Sequence, residues 1–503
     1  MAGCRSPFFE NDLDKILAEK GDRKMGVLEG LEPIPVFHFF EEICKIPHGS
    51  GNEAAISDYL KKFADERGLF CIQDEWKNII IVKEAAPGKE AEETLILQGH
   101  MDMVAVKAPD CVIDMEKEPL RLAVNGDLIS AEGTSLGGDD GIAVAYILAL
   151  LDSKEIPHPR LEAVLTVGEE VGMDGAREID LSMLKGRRML NLDNEEEGVL
   201  LTSCAGGLRA DCRLPIAWEK RSGSVLHIQV MGLQGGHSGA EIIKEGGNSN
   251  CLMGRVLEAL NRETSASLLS MEGGLADNAI PRQTDARIMI KEEEKEKCQA
   301  VLRNMEEAFR QELAVKDPGV RVVAKEEGAQ TADCLKADSM EKAVYYLLAM
   351  PNGIQAMSAD VEGLVETSLN LGMLKLTTEH LRLTYAVRSS LESGKEAVRS
   401  RLSAISRLAG AEMEVHGEYP GWAYRKDSPL RDKMVRIYEK MYGRKPQVQA
   451  IHAGLECGLF AGKLPGLDCI SYGPDMKGIH TTEEVLSIAS VKRVWEYLLE
   501  ILR

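Results

Sequence analysis

In the stretch Thr94–Val104, TLILQGHMDMV, a histidine and an aspartate two positions apart close an apolar run. Residues i and i+2 of an extended chain point the same way, so Asp102 is placed to accept one ring N–H of His100 while the other ring nitrogen is free for a metal. A second apolar run, LEAVLTV, leads into Gly168-Glu169-Glu170. Adjacent carboxylates raise each other's pKa unless something relieves them, and a divalent metal is the obvious relief. A third run, RRMLNLD, ends in Asp193, followed by the acidic turn Asn194–Glu197. Asp139 and Asp140 open the apolar stretch IAVAYILALLD, where their ordinary explanation is a doubled helix cap, since free N–H groups and the macrodipole favour negative charge there.

Short apolar runs bounded by turn residues read as buried parallel strands, and ligands of open α/β sheets gather at the carboxyl ends of such strands. The spacing therefore predicts an α/β catalytic domain that brings three strand ends to one sheet edge. Helices are expected over VFHFFEEICKI and Asn52–Arg67, joined by the turn Pro47–Gly51, in which His48 either serves the turn or lines a pocket. From about Gly207 to about Gly417, strands (Val225–Leu233, Ala286–Lys291, Ser368–Leu376, Leu381–Val387) alternate with amphipathic helices (Asn250–Arg262, Glu292–Leu313, Met340–Leu348, Lys395–Leu408). This reads as an inserted α+β lid of two similar halves. The domains expected are 1–206, with a polar arm over 1–24, then the lid over 207–417, and the rest of the catalytic domain, with its mixed central sheet, over 418–503.

The lid has candidates of its own. His237 sits among glycines in Gly235–Gly239, where flexible backbone brings a ring close to a ligand. Asn278 lies in the polar turn Asp277–Arg282, and Arg388 ends a strand with a fixed cation able to grip a carboxylate in a fork. Each alone has an ordinary structural explanation. In the last segment, strand-like Val448–Ile451 leads into His452 and Glu456, Leu467–Tyr472 leads towards Gly478-Ile479-His480, and a helix is expected over Val485–Leu502.

The 503 residues exceed one ordinary core, and 44% hydrophobic content suffices to bury two. A formal charge of −21 argues against nucleic acid and anionic membranes as partners. Eleven scattered cysteines without a C-x-x-C pair suggest neither a disulfide framework nor a zinc ribbon, which fits a reduced cytoplasm. The N-terminal residues show no apolar signal segment, and no apolar stretch approaches the ~20 residues that span a bilayer. A soluble protein is expected.

The motifs LQGHMDMV, GTSLGGDDGIAVA, VGEEVGMDGA, LNLDNEEEG, GGHSGAEI, DNAIPR, GLVETSLNLG, HAGLECG and GIHTTEE, in this order, resemble the zinc aminopeptidase-like metallopeptidases. That family includes carboxypeptidase G, aminoacylase and the dipeptidases, and the dipeptidases are the members most resembled. The resemblance covers nearly the whole chain after about Leu31. It implies His100, Asp139, Glu170, Asp193 and His480 as ligands of two divalent metal ions bridged by Asp139, zinc first, with manganese or cobalt also compatible. It makes Asp102 the orienter of His100 and Glu169 the general base that takes a proton from the attacking water and passes it to the leaving amine. His237 would polarise the substrate carbonyl or its oxyanion, Asn278 and Arg388 would engage substrate from the lid, and His452 and Glu456 would support the site.

The expected activity is hydrolysis of unblocked dipeptides of broad sequence, Xaa-His among them. Hydrolysis of N-acyl amino acids is the related alternative. A catalytically silent metal-binding scaffold is the third reading, against which the intact Glu169 argues. Whether the chain pairs as a homodimer is left open. Two departures from the family pattern stand out: Asp139-Asp140 replaces the common Asp-Asn, and Ile243–Asn248 lacks the histidine and arginine often found after GGHSGAEI. The second puts the substrate range in question.

Overall fold

The computed structural model describes residues 26–503, and the arm expected over 1–24 lies outside them. The chain divides into two compact units. One comprises residues 26–199, Lys433–Pro446 and Tyr472–Arg503; the other comprises Leu200–Asp432 and Gln447–Ser471.

In the first unit, helices α1 (Ile34–Cys44) and α2 (Ala54–Glu66) precede strands β1 (Phe70–Gln73), β2 (Ile79–Lys83), β3 (Leu95–His100), β4 (Leu122–Asn125) and β5 (Leu128–Ala131). There follow α3 (Gly138–Asp152), β6 (Leu161–Thr166), α4 (Asp174–Glu178) and β7 (Arg188–Asn191). The sheet order β1-β2-β6-β3-β7 is mixed: β3 runs parallel to β6 and β7, and β2 runs antiparallel to β6. Every residue of β3 and β6 is buried, as continuous apolar runs require of strands covered on both faces. The parallel register pairs His100 with Thr166 and Gln98 with Asn191, so β3, β6 and β7 end together at one edge.

Helix α3 is buried throughout Gly138–Leu151, which explains why its sequence shows no polar stripe. It lies so close to β3 that a Cβ on Gly99 would stand 2.6 Å from Asp140 Oδ2 and 2.8 Å from Ala143 Cβ. Only glycine fits at that strand position.

The second unit contains β8 (Val199–Cys204), β9 (Gly206–Pro215), β10 (Trp218–Met231), β11 (Gly236–His237), α5 (Ser249–Glu263), β12 (Ser267–Gly273), β13 (Ala279–Ile280), β14 (Thr284–Ile290) and α6 (Lys295–Glu312). It continues with β15 (Arg321–Leu335), α7 (Ala337–Ala349), β16 (Gly353–Met357), β17 (Val365–Leu376), β18 (His380–Ser389), α8 (Glu392–Ala409) and β19 (Glu412–Tyr419). Its main sheet has the order β15-β10-β14-β12-β17-β18-β9-β19, with β16 on β17, and all its pairings are antiparallel. Leu257, Phe309, Leu347 and Leu402 from the helices share one core with Ile288, Leu369 and Leu383 from the strands. Neither β15 nor β19 is anticipated from the sequence. Both lie at ends of the strand order and are largely exposed, so charge replaces the apolar alternation that marks a covered strand.

Helix α9 (Pro429–Tyr442), β20 (Gln447–Ile451), α10 (Glu456–Lys463) and β21 (Asp468–Ser471) come next. Back in the first unit, β22 (Met476–Lys477) and β23 (Val485–Ser487) form a hairpin that pairs with β5 and leads into α11 (Ile488–Leu502). The helix expected from Val485 thus begins only after a short strand. Among the described residues no helix is long and apolar enough to cross a membrane.

Candidate active site

His100 ends β3, Glu169 and Glu170 follow the end of β6, and Asp193 follows the end of β7, so the parallel register gathers them. Asp139 enters on the first turn of α3, after a left-handed Gly137 (φ +68°), and its peptide bond to Asp140 is cis. His480, itself left-handed at φ 60°, stands in the connection of the β22–β23 hairpin. His100 Nε2 lies 3.0 Å from Asp139 Oδ1 and 3.7 Å from Asp193 Oδ1. His480 Nε2 lies 3.2 Å from Asp139 Oδ2 and 2.9 Å from Glu170 Oε1. Two sets of donor atoms therefore share Asp139, namely His100/Asp139/Asp193 and Asp139/Glu170/His480, each within 4.8 Å; a third, His100/Glu169/Glu170, joins the base loop to them.

The electrostatics of the cluster suit cations. Burial, Glu170 and Asp139 push the Glu169 carboxyl up to about 7 against the pull of His100. Burial and the neighbouring Asp140 push Asp193 well above the usual carboxylate range. Burial also works to raise Asp139, but its bonds to His100 and His480 outweigh this and hold it well below that range. Its bonds to Asp139 and Glu170 push His480 up to about 10. Desolvated carboxylates in this surplus call for more positive charge than the imidazoles supply, and nitrogen and oxygen donors at this spacing fit divalent metal.

Asp102 is buried beside His100. Its main-chain oxygen lies 2.9 Å from His100 Nδ1 and its carboxylate Oδ1 lies 3.4 Å from it, so carbonyl and side chain both bear on the ring. The carboxylate also accepts the backbone N–H groups of Glu169 (3.1 Å) and Glu170 (3.3 Å).

The second unit has a cluster of its own. Strands β11 and β13 pair His237 with Ala279, and Ser238 N–H donates to the Asn278 carbonyl at 2.8 Å, which sets the His237 and Asn278 segments side by side. Ala240 N–H donates to His237 Nδ1 at 3.1 Å, leaving the ring proton to Nε2. Arg388 Nη2 lies 3.4 Å from that Nε2, and Arg388 Nη1 donates to the Tyr419 hydroxyl at 3.3 Å. His452 Nε2 is 2.7 Å from Ser368 Oγ, on the residue paired with Arg388 in the β17–β18 ladder. Burial first, then the Arg388 charge, lowers both His237 and His452, the latter to about 3, so both rings stay neutral near pH 7. Glu456 is wholly buried at the start of α10, whereas Asn278 is exposed.

A family model described as Peptidase family M20/M25/M40 matches residues 96–503. The chain belongs to this peptidase family. It is 36% identical over 481 residues to the cytosol non-specific dipeptidase of Escherichia coli (strain K12), covering 95% of this chain and 99% of that one. The crystal structure of aminoacylhistidine dipeptidase from Vibrio alginolyticus matches with a TM-score of 0.89 at 36% identity, over 94% and 97% of the two chains. Aminopeptidase PepT from Bacillus cereus, at 17% identity and a TM-score of 0.54 over 94% and 98%, shares the fold.

In this M20-family chain two further contributors escape sequence reasoning. Glu484, in the same hairpin as His480 and buried, accepts the N–H groups of Leu136 (2.7 Å), Gly137 (3.1 Å) and Gly138 (2.8 Å), and so fixes the loop that presents Asp139. Its place four residues after His480 in GIHTTEE is the one signal that could have drawn attention to it. The other is Ser50, whose Oγ donates to Asp102 Oδ2 at 2.8 Å.

Proposed function

We propose that the chain is a two-metal dipeptidase of the cytoplasm that hydrolyses unblocked dipeptides of broad sequence, Xaa-His dipeptides included. The single observation that carries the metal part is the pair of donor triads meeting at the two oxygens of Asp139. The dipeptide part draws on the 36% identity to the two dipeptidases across nearly the full length of each. Imidazole and carboxylate donors favour zinc, with manganese and cobalt compatible. Bound there, two divalent ions would polarise the scissile carbonyl and acidify a water as Lewis acids.

The chain's own residues do the rest. His100, Asp139, Asp193, Glu170 and His480 hold the ions, and Asp102 fixes the His100 ring. Glu169, next to Glu170 at the end of β6, accepts a proton from the attacking water and returns it to the leaving amine. In the second unit, His237 donates its ring N–H to the developing oxyanion, Arg388 takes the substrate carboxylate, and Asn278, His452 and Glu456 help to hold the peptide. In this reading residues 1–206 and 418–503 carry the metal chemistry and 207–417 form the lid.

The test is a hydrolysis panel with metal-reconstituted protein, comparing free, N-acylated and C-amidated dipeptides. Cleavage restricted to peptides with both termini free is the expected result. Cleavage of N-acyl amino acids with free dipeptides untouched would replace this reading with an amidohydrolase.

A further inference from the structure

We infer that Ser50 is a positioning residue of the metal centre, acting through Asp102; this rests on the ligand assignment proposed above. The Asp102 side chain is fully buried. A buried carboxylate takes its orientation from its donors, because any oxygen left without one costs desolvation energy that nothing returns. Oδ1 accepts Glu169 N–H at 3.1 Å and lies 3.4 Å from His100 Nδ1, while Oδ2 accepts the Ser50 hydroxyl at 2.8 Å and Glu170 N–H at 3.3 Å. Ser50 makes the shortest of these contacts and comes from outside the segments that carry His100, Glu169 and Glu170. Its hydroxyl anchors Oδ2 and thereby leaves Oδ1 turned towards the ring and the base loop. One carboxylate thus joins the His100 ring, whose Nδ1 the Asp102 main-chain oxygen also holds at 2.9 Å, to the placement of Glu169 and Glu170, and Ser50 sets that carboxylate.

The turn that presents Ser50 is held by backbone hydrogen bonds, to which the hydroxyl adds only a longer contact with the Met103 carbonyl at 3.4 Å. Met103 N–H donates to the His48 carbonyl at 3.2 Å, Ser50 N–H donates to the Met103 carbonyl at 3.1 Å, and Gly49 bridges to Met103. Loss of the hydroxyl therefore leaves the backbone strap in place and frees the carboxylate to rotate. A cavity of about 550 Å³ opens at this turn, lined by Ser50, Gly51, Asn52, Ala105 and Lys107 among others.

Partners that orient metal ligands from behind typically change metal affinity or activity by ~10–100-fold when removed. The experiment titrates Co²⁺ into metal-free full-length protein against a competing chelator, reading the dissociation constants and the visible absorption bands of the bound ion, and then measures kcat and KM on a free dipeptide. Ser50→Ala should bind Co²⁺ about 10-fold more weakly, shift the bands and lower kcat with KM little changed. Ser50→Thr, which keeps the donor, should restore the affinity and the bands. If Ser50→Ala fails to fold, Ser50→Cys, a weak donor, is measured in its place and should fall on the Ala side. Wild-type affinity and bands in Ser50→Ala, or in Ser50→Cys where it stands in, overturn the inference, as does Ser50→Thr as impaired as Ser50→Ala. A wild-type protein that binds no Co²⁺ would instead overturn the ligand assignment itself.

Discussion

His100 and His480 are each met by carboxylates, whereas Arg388, only 8% exposed, donates to a tyrosine hydroxyl and is met by no carboxylate among the described residues. The first cluster has a surplus of desolvated negative charge, and the second has a desolvated cation without a counter-ion. Neither arrangement is favourable by itself, since a buried charge costs several kcal/mol unless it is paired. Each is therefore incomplete in an opposite sense: the first suits divalent cations, the second suits a carboxylate. Substitutions at the donor atoms of the first cluster should change metal content, and those in the second cluster should change substrate preference with metal content intact.

The largest effects are expected at the proposed metal ligands. His100→Ala and His480→Ala should each lose one ion and with it measurable turnover, because each removes a nitrogen donor that the remaining carboxylates cannot replace. Elemental analysis of the dialysed variants checks this, and full occupancy in both would remove these histidines from the ligand set. Glu169→Gln should keep both ions and lose ~10²–10⁴-fold in kcat, as loss of a positioned general base does. Near-normal turnover in that variant would assign proton transfer to another group.

The second region should respond differently. Arg388→Ala should leave metal content unchanged and lose much of the preference for free over C-amidated dipeptides, since a charged fork contact is worth ~1.5–3 kcal/mol. An unchanged ratio of kcat/KM for the two substrates would move carboxylate recognition elsewhere. The smallest effect is expected from Glu484→Gln. Its amide cannot accept on both sides, so the 136–138 amides lose part of their satisfaction, at a cost of ~1–3 kcal/mol. Thermal unfolding should report this as a lowered Tm, and an unchanged Tm would deny Glu484 its role in holding the loop.

The two regions also differed in legibility. The ends of β3, β6 and β7 could be read because buried parallel strands leave continuous apolar runs, and each run stops at a histidine or an acid. Asp139 was ambiguous with a helix cap, and the structure shows it opening α3 while its carboxylate meets both histidines. Ser50 left no pattern to read and Glu484 only its place in GIHTTEE, because they act on a distant carboxylate and on backbone N–H groups across separations of 52 and 346–348 residues. In the second unit β10, β14, β17 and β18 were legible in part, whereas β9 and β12 inside the sheet and the exposed β15 and β19 at the ends of the strand order were not. Within Ile243–Asn248, Asn248 caps α5 through Asn250 and Cys251 N–H and Gly247 N–H donates to Asp317, and neither of these residues is part of the departure.

The central claim is that Asp139 belongs to both halves of one two-ion centre. The direct measurement is the number of divalent ions bound per chain in Asp139→Ala, at a metal concentration that saturates the wild type. The account predicts that this single substitution loses both ions while His100→Ala loses one. Asp139→Ala with one ion retained at wild-type affinity would contradict it.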